Sequence, residues 1–422
     1  MRISPRLSAA SSARRVVPAV LAGALVTSAA LTVTAPAAGA DTLVVHKTKM
    51  VVTLHGEGHG HGMSQYGAKG AALAGRSYRQ IVAFYYPHTT LSYVRGTAIR
   101  VRLSGAGSTT TVGTASALSV SGVAGTLPIA GIARYRLLAG GGHSETLQRL
   151  AARSGARWTT VRSGLPNGTT FWRRNGGAVR LMRTDGRSTT YYGTLRAIRK
   201  SGSGSASGVY TVNRVSLESY TAGVAPREMP ASWPRQAVAA QAVAARTYGL
   251  YGVRHPRSAN YDICDTTSCQ VYGGHVHFGP KGKLLWGDDS QAARDSAGRV
   301  LTYKGSVAFA QFSASNGGWT VSGGKPYLVT ERDPYDSKRS GDPFLSYNRT
   351  VGVSSVARYY GLSTVTKIVV TKRDGHGVGG GRILSAYVYG LHGKTAKRVS
   401  TTGDNLNWAL GAGTTWFTLR NA

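Results

Sequence analysis

The sequence predicts an α+β fold: an Ala-rich helix packed with mixed β-sheet, plus a β-rich inserted module. Three observations predict it. A run of mostly Ala and Val from Ala237 to Tyr248 has the composition of a buried helix. Residues 97–200 are rich in Val, Thr, Ser, Gly and Arg. They contain alternating runs such as Ile99-Arg100-Val101-Arg102-Leu103, the period-two signature of strands. The chain has 422 residues, and a single core stops growing near roughly 250–300 residues, so two lobes are expected.

The elements follow in chain order. Arg2, Arg6, Arg14 and Arg15 form a basic start with no acidic residue, followed by an apolar stretch from Val16 to Val33 and an A-x-A pattern at Ala38-Gly39-Ala40. Residues 1–40 therefore read as a secretory signal peptide, with no stable membrane span left after cleavage. A strand over Leu43–Val45 and Val51-Val52 leads into a glycine–histidine loop, His55 to Gly62. Helices are expected from Ala68 to Ala74 and from Tyr78 to Tyr86, the second ending before Pro87. These elements make up a Gly/His-rich segment, 41–96. The β-rich module, 97–200, ends at SGSGSASG (201–208), a loop composition. In the last segment, 201–422, a strand over Val209–Val215 precedes the Ala-rich helix. Ser232 is its expected N-cap, with Pro234 in the first turn. The tail from Lys367 is again β-like.

Charge narrows the function. Lys plus Arg total 51 against 17 Asp plus Glu, a net +34, of which four charges lie in residues 1–40. A 41% hydrophobic content excludes a disordered polycation. No helix-turn-helix, zinc-finger spacing or stacking motif supports nucleic acid as the partner. An exported cation of this size suits phosphate- and carboxylate-bearing wall polymers.

Four segments carry the chemistry. They are GHGHGMSQYGAKGAALAGRSYRQIVAFYYP (58–87), LESYTAGVAPREMPASWPRQAVAAQAVAARTYGLYG (217–252), YDICDTTSCQVYGG (261–274) and FSASNGGWT (312–320). Together they resemble the stage II sporulation protein D family, which includes the amidase enhancers. The resemblance implies a peptidoglycan lytic transglycosylase, cleaving between N-acetylmuramic acid and N-acetylglucosamine and leaving a 1,6-anhydro end. It implies peptidoglycan glycan strands as the substrate, cell-wall association, and, from the enhancer name, an amidase as partner. A non-catalytic, wall-binding amidase enhancer is the alternative. The GHGxGMSQYGA segment here precedes the Glu segment, whereas in many members it follows it.

Glu228, in Pro226-Arg227-Glu228-Met229-Pro230, matches the family's catalytic Glu. A carboxylic acid protonates a glycosidic oxygen near neutral pH only if its pKa is raised, and Met229, Pro230 and Trp233 are expected to supply the apolar surroundings. Glu218 is the competing acid, with a solvent-facing or ion-paired role expected instead. Arg246, the charged residue of the Ala-rich helix, is expected to pair with an acid. Substrate contacts are expected from His59, Ser64, Gln65 and Tyr66 of the Gly-rich segment, from Gln241, and from Ser313, Ser315 and Asn316. Tyr272 and Trp319 are candidates for sugar stacking or for the core.

Cys264 and Cys269 leave two chemistries open. Export favours a disulfide. The alternative, implied by zinc-holding family members, is a zinc site of His255, Cys264 and Cys269 with His275 or His277 completing the sphere. His55, Glu57, His59 and His61 on a glycine loop do not have the spacing of a helix-borne zinc site. No cofactor is otherwise implied.

Overall fold

A computed structural model describes residues 41–200, 208–280, 283–287 and 291–422. The expected signal peptide, and all but the last residue of the SGSGSASG run, lie outside the described residues. The helices are α1 (Gln65–Leu73), α2 (Tyr78–Tyr85), α3 (Leu217–Glu228), α4 (Arg235–Arg254), α5 (Gln291–Asp295), α6 (Val353–Tyr359) and α7 (Gly403–Leu410). Strands in several sheets accompany them, so the fold class is α+β.

Local chemistry sets the helix ends. The Ser64 hydroxyl accepts from the Gly67 N–H at 3.0 Å and starts α1. Ser77 and Gln80 form a reciprocal capping box at α2. The expected Ser232 cap of α4 is corrected: Pro234 occupies that position without a side-chain cap. The Trp233 N–H is drawn into a turn on the Pro230 carbonyl at 3.0 Å, which places the helix start after Pro234. Around Glu218 the sequence suggested only a short helical turn. The helix instead runs twelve residues, through Pro226. Pro226 has no N–H to donate, and the helix ends two residues later.

Three buried clusters organise the packing. The largest lies between an eight-stranded and a six-stranded sheet and includes Leu137, Phe171, Leu181, Leu195 and Tyr220. Residues 97–200 supply strands to both sheets, and neither sheet stops at residue 200. Ala98–Leu103 pairs antiparallel with Val209–Ser216, and Ser188–Tyr191 with Val276–Phe278. The module therefore shares its hydrogen-bonded ladders with the residues that follow it.

The second cluster holds α1, α2 and α4 together. Ala237, Ala240 and Ala244 of α4 are fully buried, and their small side chains let neighbouring helices approach closely. Arg246 is the buried charge on α4. Its guanidinium is fully buried and grips both carboxylate oxygens of Glu218 at 2.9 Å. It also donates to the Ser296 and Arg299 carbonyls. Glu218 thus serves the ion pair.

The third cluster is C-terminal and includes Met50, Leu54, Val356, Ile368, Val388, Leu406 and Phe417. The β-like tail there carries an additional helix, α7, packed through Leu406 and Leu410. The early glycine–histidine segment is laced onto the 312–321 segment. Met63–Ser64 runs parallel to Phe312–Ser313, and bridges join Glu57 to Ser315 and His61 to Val321.

Candidate active site

Glu228 is the last residue of α3, where the helix dipole presents its negative end to a carboxylate. Its Oε1 accepts from the Val271 N–H at 2.7 Å, and the Gln65 side chain hydrogen-bonds the same carboxylate. Burial pushes the Glu228 carboxyl above its ordinary range. The Val271 N–H, Gln65 and the Arg227 charge pull the other way without cancelling the shift.

The carboxylate opens onto a cleft of about 500 Å³ whose walls include His59, Tyr248, Cys269, Phe312 and Ser313. Met229 and Trp233 do not supply these walls. Met229 is fully buried in the helical core, and Trp233 packs in a tilted contact against Tyr66, ring centres 4.8 Å apart, with Lys69 over its ring. Gly58 explains how the loop reaches the site. It has φ +102°, and a Cβ there would stand 2.6 Å from the Ser313 Cβ.

His59 has a defined proton arrangement. Its Nδ1 accepts from the His61 backbone N–H at 2.9 Å, so in the neutral ring the proton sits on Nε2, a hydrogen-bond donor. Although the side chain keeps an exposed edge, crowding of its ring by neighbouring groups, then the adjacent His61 and Arg382, lower its pKa to about 4. His59 is therefore a neutral donor at pH 7.

The structure divides the expected substrate contacts. Glu228, His59, Gln65 and Ser313 are brought together. Ser64, Ser315, Asn316 and Gln241 are not, and their expected sugar contacts are corrected by their burial. Ser64 donates to Asp336 at 2.8 Å, Ser315 to Asp342 at 2.6 Å, and the Asn316 side chain to Asp333 at 2.8 Å. Gln241 lies fully buried on α4, with neither amide atom hydrogen-bonded among the described residues. Tyr66, half-buried, packs against Trp233 and Phe344 and does not line the Glu228 cleft. Tyr272 belongs to the core, its hydroxyl donating to Asn213 at 2.8 Å.

The sequence reading missed Asp333, Asp336 and Asp342, which anchor the serine loop from beneath. Burial, Asp342 and Asp333 hold Asp336 well above the carboxylate range. A signal was available: three of the chain's 17 acids fall within ten residues.

Cys264 and Cys269 form a disulfide, with S–S 2.07 Å. In this state neither sulfur offers a thiolate to zinc. His255 is exposed, stacked on Tyr251 at 4.1 Å. Among the described residues, no group of three or more His, Cys, Asp or Glu is arranged to hold a metal ion. The disulfide loop leads directly into Gln270, which accepts from the Tyr220 hydroxyl at 2.7 Å, and into Val271, the donor to Glu228. Asp262, close before Cys264, is buried and paired with Arg100 at 2.5 Å.

Residues 205–303 match the family described as Stage II sporulation protein. Over 121 residues the chain is 38% identical to the amidase enhancer of Bacillus subtilis (strain 168), covering 27% of this chain and 15% of that protein. Over 238 residues it is 26% identical to stage II sporulation protein D of Bacillus amyloliquefaciens, covering 50% of this chain and 65% of that protein. The Bacillus subtilis (strain 168) stage II sporulation protein D is 27% identical over 207 residues, 44% of this chain and 57% of that protein. In each case the match spans less than two thirds of the relative's length.

Proposed function

We propose that this chain, which carries a stage II sporulation protein domain at residues 205–303, is an exported, wall-associated lytic transglycosylase with Glu228 as its general acid and base. The supporting observation is a carboxyl pushed upward by burial, at the wall of a cleft that a neutral imidazole donor also lines.

The reaction balances with one carboxyl group. The Glu228 proton passes to the oxygen joining muramic acid C1 to glucosamine C4, and the C1–O4 bond breaks. The C6 hydroxyl of the same muramic acid attacks C1, and its proton returns to Glu228. The products are a 1,6-anhydromuramyl end and a free 4-hydroxyl, with no water consumed. The His59 Nε2–H, on the wall of the same cleft, is available to hold a sugar oxygen while this occurs. A positioned acid contributes about 10²–10⁴-fold.

The test is incubation with intact and with peptide-stripped wall glycan, read by mass spectrometry. Anhydromuramyl products are expected, with a loss of at least about 10²-fold in Glu228→Gln. Glu57 also lines the cleft, its carboxylate bonded by the Tyr347 hydroxyl. If Glu57 were a second catalytic carboxyl, the products would be one water heavier and would vanish in Glu57→Gln.

A second reading, wall binding that stimulates an amidase, is favoured by the amidase-enhancer similarity and by a basic outer sheet face. Retained binding with no glycan cleavage, together with increased amidase turnover, would decide for it.

A further inference from the structure

A second, larger cavity of about 940 Å³ adjoins the Glu228 cleft, and Glu57, Gly58 and His59 line both. Its far side is built by residues 374–415, outside the matched family segment. There α7 has two faces. Leu406, Ala409 and Leu410 pack into the C-terminal core. Asp404, Asn407 and Trp408, spaced at i, i+3 and i+4, form one polar-aromatic face on the cavity. Trp408 is 74% exposed, an unusual setting for so large an aromatic.

The charge here differs from that of the rest of the molecule. The chain carries +34 overall, yet this cavity holds Glu57, Asp374 and Asp404 against Arg349 and Arg382. A near-balanced lining of short polar groups does not select a polyanion. An exposed indole beside an amide and a carboxylate fits the face and the hydroxyl edge of a pyranose. Ligand sites commonly have about 300–1,000 Å³, so this volume suits more than one ring.

We infer that this cavity is a saccharide subsite, in which Trp408 stacks on an uncharged β-1,4-linked aminosugar of the strand whose cleavage point lies at Glu228. Asp404 and Asn407 take its hydroxyl and acetamido groups, and His59 stands at the junction of the two cavities. The inference rests on the glycan-cleaving reading and extends it to residues beyond the matched domain.

The test uses the Glu228→Gln protein, so that bound sugar stays intact, and titrates chitobiose and chitohexaose by calorimetry. Chitohexaose is expected to bind more tightly than chitobiose. Trp408→Ala is expected to weaken chitohexaose by roughly tenfold, with Trp408→Phe recovering most of the loss. Equal chitohexaose affinity in Trp408→Ala and in a folded Asn407→Ala variant would overturn the subsite. So would Trp408-dependent binding of a free wall stem tetrapeptide in place of sugar. Product analysis on the wild-type protein separates the two claims. Cleavage with Trp408-independent binding removes the subsite alone. Trp408-dependent binding without cleavage removes the catalytic reading alone.

Discussion

At Glu228 opposing local influences act on one carboxyl. Burial and the C-terminal end of α3 oppose its charge, while the Val271 N–H, Gln65 and Arg227 favour it. Only the protonated form can donate. The value of kcat/KM is therefore expected to hold at low pH and to fall about tenfold per unit above the Glu228 pKa. Because that pKa is raised, the fall begins above the ordinary Glu value of about 4.3. A pH profile on soluble glycan checks this, and a fall centred at or below the ordinary value contradicts it. The same shift makes Glu228 a group whose contribution to stability is present at low pH and lost as pH rises through its folded pKa. Gln241 offers a different test. An unpaired buried amide costs about 1–3 kcal/mol. Gln241→Leu should therefore raise stability by about 1 kcal/mol in denaturant titration and leave glycan binding intact. Lost binding would mean that the amide reaches the ligand.

At the scale of elements, the disulfide loop supports the site. Cys264–Cys269 closes a short loop just before the residues that hold Tyr220 and Glu228. Closing six residues is worth about 2 kcal/mol in the chain-entropy account. The double Ser variant should lose that amount in thermal or denaturant unfolding. It should also loosen the Val271 hydrogen bond, which keeps the Glu228 pKa from rising further. The falling limb of its pH profile should therefore move to higher pH. An unmoved profile would make the disulfide a stabiliser alone. α7 shows the other way an element serves a site, giving one face to the core and the opposite one to the second cavity.

At the scale of the whole molecule, charge is separated by place. Residues 97–200 hold 16 Lys plus Arg and two acids. Pairing register sets Arg134, Arg136 and Arg180 on the sheet face opposite the buried Tyr135, Val112 and Leu181. Arg136 lies 4.2 Å from the Trp158 ring centre and Arg180 4.3 Å from that of Phe278. Binding to wall bearing anionic polymer should therefore fall about tenfold or more between roughly 50 mM and 500 mM salt. A triple Arg→Gln variant on this face should reduce that slope while cleavage of uncharged glycan persists. A salt-independent affinity would rule out the electrostatic role. No helix among the described residues is long and apolar enough to cross a membrane.

The sequence by itself determined the α+β class, α1, α2, the alanine helix and the pairing of two nearby Cys, through local signals: periodicity, caps, and residue types at fixed spacing. Glu228 and His59 were singled out by the family resemblance. Ion pairing of Arg246 was also legible, since a lone guanidinium among alanines requires a partner. Only the tertiary structure decided that the early glycine–histidine segment lies against residues 312–321 and delivers Gln65 and His59 to Glu228. It alone separated Ser313, which borders the cleft with its hydroxyl buried, from Ser64, Ser315 and Asn316, which are held by buried aspartates. It alone assembled the second cavity around Trp408. The reason is physical: spacing along a chain reports which face of an element a residue shares, whereas packing between elements distant in sequence decides which face meets solvent.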